Sequence, residues 1–494
     1  MENIFKQVNC PSIIKITHSY PISVALALDQ SVGDILGVGA SACVNSAECS
    51  SGLAKVKAVA LFNILYKEDG KILSYESSAD LAFEVSDSKI SANSLVDLRL
   101  CVKNAQVSKG EKGLELTAEI YAECYFNRVQ AIPVLEDIEG AIVKKEEIKP
   151  LSFVKCINAT AQIDGEKRLA YFVERVICHS ESARVLNSSV SHDEVILEGE
   201  ILSEVLLLKQ NGERVSEKIV TPFRYEIDCE GAMPNEQACM NACINRAGFK
   251  IASDEAGNSA NISCEYSLLI TGMLTEQTPV NCVIDGFSVL NELTFDSEGV
   301  ELVNDLAQAA IKHKHFGEGD ISLGAKESIV ASVFCTVDDL AVKKVSEDKV
   351  EISGVAGCLV IVKNEAGELY GERVFAPVLL TADCKHTPVC VSAQTQGVVA
   401  RNLDGKCLLE LELVFTLTYM QSETRVVLVN AIFGEEKEQK SSAFSVVFID
   451  KGDDLWTVCK KALASEQAIL ADNPDMVFPA KQEKAVVVYN KLKY

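Results

Sequence analysis

One strand–turn–strand pattern recurs along the chain, and this recurrence constrains the fold more than any other feature. The stretch "DEVILEGEILSEVLLLKQNGERVSEKIVTPFRY" starts at Asp193, and "DKVEISGVAGCLVIVKNEAGELYGERVFAPVLL" starts at Asp348. In both, a valine (Val195, Val350) stands seventeen residues before a turn glycine (Gly212, Gly367). A second glycine (Gly199, Gly354) stands thirteen before it, and a proline (Pro222, Pro377) ten after it. A looser copy surrounds Gly70, with Lys67 before the turn and Asp80 in the proline's place. "EDG", "QNG" and "EAG" are turn signals between β-rich runs, so each copy predicts a hairpin.

Each hairpin precedes a second strand pair after a polar interval. "LELTAEIYAECYF", "ANISCEYSLLITG" and the run Leu409, Leu411, Leu413, Phe415, Leu417 alternate apolar with polar residues. Such strands have one apolar face, which must be covered by another layer. The expected fold is therefore mainly β: three tandem antiparallel sandwich or barrel-like repeats at 1–139, 153–296 and 321–433. A small βααβ module follows at 444–494. The linkers are expected near 140–152, 297–320 and 434–442, with a short helix in the second.

The chain has 494 residues and a net charge of −24, which argues against nonspecific binding to nucleic acid. No apolar run is long enough for a membrane-spanning helix. "MENIFKQVNCPSIIKITHSY" lacks the pattern of a secretory signal, so a cytoplasmic location is expected. The 18 cysteines are then expected to be mostly buried thiols rather than disulfides.

Catalytic motifs of the phosphate-binding, nucleophile-elbow and zinc-protease types are lacking, and no cofactor is expected. His313 and His315, in "KHKHF", are read as exposed linker residues. Cys239 and Cys243, in "ACMNAC", have a spacing that would place both thiols on one helix face. "CKHTPVC" (Cys384, His386, Cys390) is read as packed thiols with a loop histidine. No metal site is expected at any of these places. Asp338–Asp339 and Glu435–Glu436 are read as solvated carboxylates.

"KGDDLWTVCKKALASEQAILADNP" breaks the β pattern near the end of the chain and holds its only tryptophan. Asp453 is expected to cap a first helix that sets Trp456, Cys459 and Leu463 on one core-facing side. Ser465 is expected to cap a second helix, which Asn473–Pro474 stops. Strand, helix, helix, strand in this order, with "KGDDLW", "ILADNP" and "FPAKQEKAVVVY", resembles a LysM domain over roughly 444–489. Asp454 stands where that family usually has threonine. The resemblance implies a groove between the loops 451–454 and 472–482, with Gly452, Asp453, Asp454, Asn473, Pro474 and Pro479 at its edges.

Repeated β units with exits such as "VLEDIEG", "VIDGFS" and "VNAIFG", ending in such a module, resemble the SPOCS-domain proteins of spore-forming Firmicutes. That resemblance implies a non-enzymatic spore-coat or cortex morphogenetic scaffold at the forespore surface, in the mother-cell cytoplasm. The implied partner is the coat morphogenetic ATPase or another coat protein. The alternative reading is a cell-wall protein binding peptidoglycan or N-acetylglucosamine. A third, an enzyme, would require a deep pocket ringed by polar groups of shifted acidity.

Overall fold

Period-two alternation holds through most of the chain, and the computed structural model is mainly β, with two short helices among the described residues. These residues are 2–27, 33–92, 95–110, 113–252, 259–437 and 444–489. The first strands are β1 (Asn3–Ala27), β2 (Asp34–Ser50), β3 (Leu53–Glu68), β4 (Lys71–Ser86), β5 (Leu95–Gly110) and β6 (Gly113–Ile138). They form two antiparallel sheets, β1-β6-β5 and β2-β3-β4. After β7 (Ile142–Ile148) come β8 (Leu151–Arg168), β9 (Val173–Ser191), β10 (Glu194–Lys209), β11 (Arg214–Asp228), β12 (Gln237–Ala252), β13 (Asn261–Gln277) and β14 (Val280–Phe287). Here the sheets are β12-β13-β8 and β11-β10-β9, with β14 paired to β7. A third set contains β15 (Asn291–Ser322), β16 (Ser328–Lys344), β17 (Lys349–Lys363), β18 (Leu369–Asp383), β19 (Thr387–Leu403) and β20 (Lys406–Glu436). Its sheets are β15-β20-β19 and β16-β17-β18.

The pairing pattern is thus the same in all three sets. The expected hairpins are the β3–β4, β10–β11 and β17–β18 pairs. Asp69 and Gly70 both have positive φ (47° and 76°), the two-residue turn whose twist matches the flanking strands. Gly212 and Gly367 also have positive φ, at the end of a longer turn. Within a set, the two sheets bury their apolar faces against each other, around two clusters in the first set and one in each of the others. In the second set this core includes Val195, Leu197 and Val205 from one sheet and Ile262, Tyr266 and Leu268 from the other.

β1 with β6, and β15 with β20, make long two-stranded ribbons. In the second set the corresponding ribbon is cut into β8–β13 and β7–β14. Pro150 and Pro279 stand at the cut, where each removes a ladder donor. The ribbons meet in one apolar cluster: Val8, Ile132 and Val134; Ile148, Val280 and Cys282; Val300, Leu302 and Val427. A second junction gathers Leu36 and Leu65 of the first set, Ile177 and Leu206 of the second, and Phe334 and Leu359 of the third.

Several expectations are corrected. The stretch 297–320 is neither linker nor helix: it belongs to β15 and pairs along β20. His313 and His315 consequently face inward with rings 5.8 Å apart, while Lys312 and Lys314 face out. The 140–152 stretch contains β7. Cys239 and Cys243 lie on strand β12, not on a helix. Of the polar stretch 434–442, the part from 438 onward lies outside the described residues.

Candidate functional site

The C-terminal module is built from β21 (Phe444–Ile449), α1 (Leu455–Ala462), α2 (Glu466–Asp472) and β22 (Lys484–Tyr489), with β21 antiparallel to β22. Asp454, not Asp453, caps α1: its carboxylate accepts the Thr457 N–H at 2.8 Å. The Thr457 hydroxyl and N–H hold the Asp454 carboxyl below its ordinary range. Asp453 instead accepts the Asp450 N–H at 2.9 Å and an ion pair from Lys461 at 2.7 Å. Ser465 caps α2 by accepting the Ala468 N–H at 3.2 Å.

The module's core contains Trp456, Val458, Cys459, Ile469, Val486 and Val488. Leu463 lies just beyond α1 with φ of 53°, partly buried against this core. Asn473 is occupied structurally. Its amide nitrogen donates to the Ile469 and Val487 carbonyls, and its oxygen accepts the Val487 N–H at 3.0 Å. The predicted groove loops are adjacent and joined through their backbones. Gly452 N–H donates to Ala480 O at 2.8 Å, and Ala480 N–H donates to Asp453 O at 2.9 Å. Gly452, Pro474, Val477 and Pro479 remain exposed along these loops.

The module is seated on the body. Trp456 is only 7% exposed, and part of its cover is Phe287, whose ring centroid lies 5.5 Å away. The indole N–H donates to Asp285 at 2.8 Å, and Lys460 bonds both oxygens of the same carboxylate. Burial works against the Asp285 charge, but the bonds from Lys460 and Trp456 outweigh it and hold the carboxyl below its ordinary range. Lys144 of β7 faces Asp454 at 3.9 Å. The tryptophan is therefore both a core residue and the seam with β14. Asp285 and Phe287 belong to the "VIDGFS" exit, the one sequence signal that could have pointed to them.

A second candidate is a partly open cavity of about 690 Å³ where the three strand sets meet. Every pair of sets is bridged by polar contacts at its wall. Between the first and second, His179 bonds Glu76 at 2.7 Å and is held on its other nitrogen by Glu181. Burial opposes the imidazolium, yet the charges and hydrogen bonds of Glu181 and Glu76 raise the pKa of His179 to about 10. Between the first and third, the Cys101 thiol donates to Asp338 at 2.8 Å, and Lys103 pairs with Asp339. Asp338 and Asp339 thus bridge the two sets, with Asp339 still exposed to solvent. Between the second and third, Glu204 accepts the Val398 N–H at 3.2 Å, and burial pushes its carboxyl up to about 7.

This wall carries a histidine and shifted carboxylates. Both ring nitrogens of His179 are engaged, by Glu76 and by Glu181. Among the described residues, no three His, Cys, Asp or Glu side chains converge as metal ligands. At "CKHTPVC", Lys344 binds the Cys384 and His386 carbonyls, and His386 stacks on Tyr419.

No family model, no curated protein and no solved structure matches the chain.

Proposed function

We propose that this chain is a non-enzymatic scaffold of the spore envelope: three tandem β repeats of the SPOCS type, with a LysM-like module that docks a coat protein. The observation that carries this reading is the seated module. Lys460 and Trp456 fix it on Asp285, while its loops around Gly452 and Pro474–Pro479 stay exposed. A fixed module presents one surface with little ordering cost on binding.

Charge supports a protein partner. From 444 to 494, Lys and Arg number seven (451, 460, 461, 481, 484, 491, 493). Asp and Glu also number seven (450, 453, 454, 466, 472, 475, 483), so the whole −24 lies in residues 1–443. A neutral tip spares an acidic partner the repulsion of the body.

The test is location in sporulating cells of the source organism. A fluorescent fusion of the full chain should ring the forespore from the mother-cell side, and truncation after residue 443 should disperse it. A fusion that marks the cell wall instead would favour the peptidoglycan reading.

A further inference from the structure

We propose that the central cavity binds a small organic anion, with its carboxylate or phosphate head on Arg246 and Arg373 and its apolar body beside Leu61, Phe334 and Val391. These side chains all line the space of about 690 Å³, a size usual for ligand pockets. Each strand set supplies part of the wall, so the cavity exists only where the three sets are joined. None of the lining residues belongs to the C-terminal module, and the proposal does not rest on what that module docks.

The charge of the ligand follows from which ionic groups in the wall are already engaged. Every lining carboxylate has a partner. His179 holds Glu76 and Glu181, and Lys15 pairs with Glu123 at 2.7 Å. Asp338 accepts from Cys101, Asp339 pairs with Lys103, and Glu204 accepts the Val398 N–H. Two guanidiniums make no ion pair with a carboxylate among the described residues. Arg246 is exposed at the cavity, and Arg373 donates to the Val38 carbonyl at 3.2 Å. A guanidinium is a planar fork that matches carboxylate and phosphate oxygens. Neutral donors add to it. On β3, Asn63 lies between Leu61 and Leu65 on the face turned toward the other sets. Both amide atoms of Asn63 and the Thr395 hydroxyl are buried at the wall, with no hydrogen-bond partner among the described residues. Buried polar atoms without partners are rare, and the oxygens of an anion accept from an amide N–H and a hydroxyl alike.

The backbone at the wall is bent as it is at binding sites. Apart from hairpin turns and the end of α1, the described non-glycine residues with positive φ are Asn104, Phe334 and Asp339, at 52°, 54° and 52°. Each lies at a break in strand register, at Lys103/Gln106, Val333/Thr336 and Asp338/Ala341. Phe334 and Asp339 line the cavity, and Asn104 follows the lining residue Lys103. The first break in β16 sets the Phe334 ring on Gly39 of β2, where a Cβ would come within 2.4 Å of it. Left-handed backbone at a bulky residue is strained, and both such strain and β-bulges gather at ligand sites.

Isothermal titration calorimetry of the full-length chain at neutral pH tests this with probes that share one alkyl chain: octanoate, octyl phosphate, octan-1-ol and octylammonium. Octanoate or octyl phosphate should bind saturably, one per chain, and the tighter of the two identifies the head group. Octan-1-ol and octylammonium should bind at least about tenfold more weakly. Arg246→Gln combined with Arg373→Gln should weaken anion binding at least about tenfold, with circular dichroism unchanged. If the double variant fails to fold, Arg246→Gln alone decides, because that side chain is exposed and forms no ion pair among the described residues. Equal binding of all the probes, tighter binding of octylammonium, or anion binding untouched by the arginine substitutions overturns the proposal. So does the absence of saturable binding of either anion up to about 1 mM.

Discussion

Trp456 donates its indole N–H to Asp285 at 2.8 Å, joining residues 171 positions apart and fastening the C-terminal module to the body. Asp285→Ala removes the acceptor for both Trp456 and Lys460. The module keeps its own core and should stay folded, while its seat weakens by about 1–2 kcal/mol, a value discounted for partial exposure. The single tryptophan reports this directly: its emission should shift to the red and acrylamide quenching should increase, with far-ultraviolet circular dichroism unchanged. The fold depresses the Asp285 pKa below the unfolded value of about 3.9, so its contribution is present above that pH. It is lost as pH falls through the lower folded value.

Trp456→Ala should act differently. It empties the centre of a small core and removes the contact with Phe287, at a cost of about 3–5 kcal/mol. Loss of the module's protease resistance, together with loss of partner binding, is the expected result. A folded module that no longer binds would make the tryptophan a contact residue.

Asp454 tests capping. Asp454→Thr retains an oxygen for the Thr457 N–H and should change stability by less than about 0.5 kcal/mol, whereas Asp454→Ala should cost about 0.5–2 kcal/mol. Thermal melts of the two variants give the comparison. The threonine variant should still alter partner binding, because it removes a charge beside the exposed loop.

His179 gives the seam between the first two strand sets a pH dependence. Its folded pKa of about 10 exceeds the unfolded value of about 6.5, so its stabilisation is complete below pH 6.5. That stabilisation disappears as pH rises through 10. His179→Gln should destabilise the protein by roughly 3 kcal/mol near neutral pH, and the gap from wild type should close toward pH 10. Denaturant melts between pH 7.5 and 10.5 measure it. Glu204, raised by burial to about 7, loses its own contribution between its unfolded value and that pH, so this window is nearly free of it.

The hairpins were legible because turn residues and alternation are local signals. Asp69–Gly70 dictates a tight turn whatever surrounds it. The stretch 297–320 was misleading because "DLAQAAIKHKH" is rich in helix formers, and propensity yields to a long partner strand. In β15 the alternation of Lys312, His313, Lys314 and His315 was the stronger clue. Asp454 and Asp453 are adjacent and chemically identical, so the cap could not be assigned without backbone geometry. The seat at Asp285 and the cavity between strand sets join distant segments, and no local pattern encodes such pairings.

The central claim is that the seated module docks a coat protein. Biolayer interferometry of the full-length chain against the purified coat morphogenetic ATPase of the source organism tests it most directly, with N-acetylglucosamine oligomers in parallel. Saturable binding to the ATPase, weakened by Asp285→Ala and lost on truncation after residue 443, with no binding to the oligomers, is the predicted result. Saturable oligomer binding with no response to the ATPase would contradict the account.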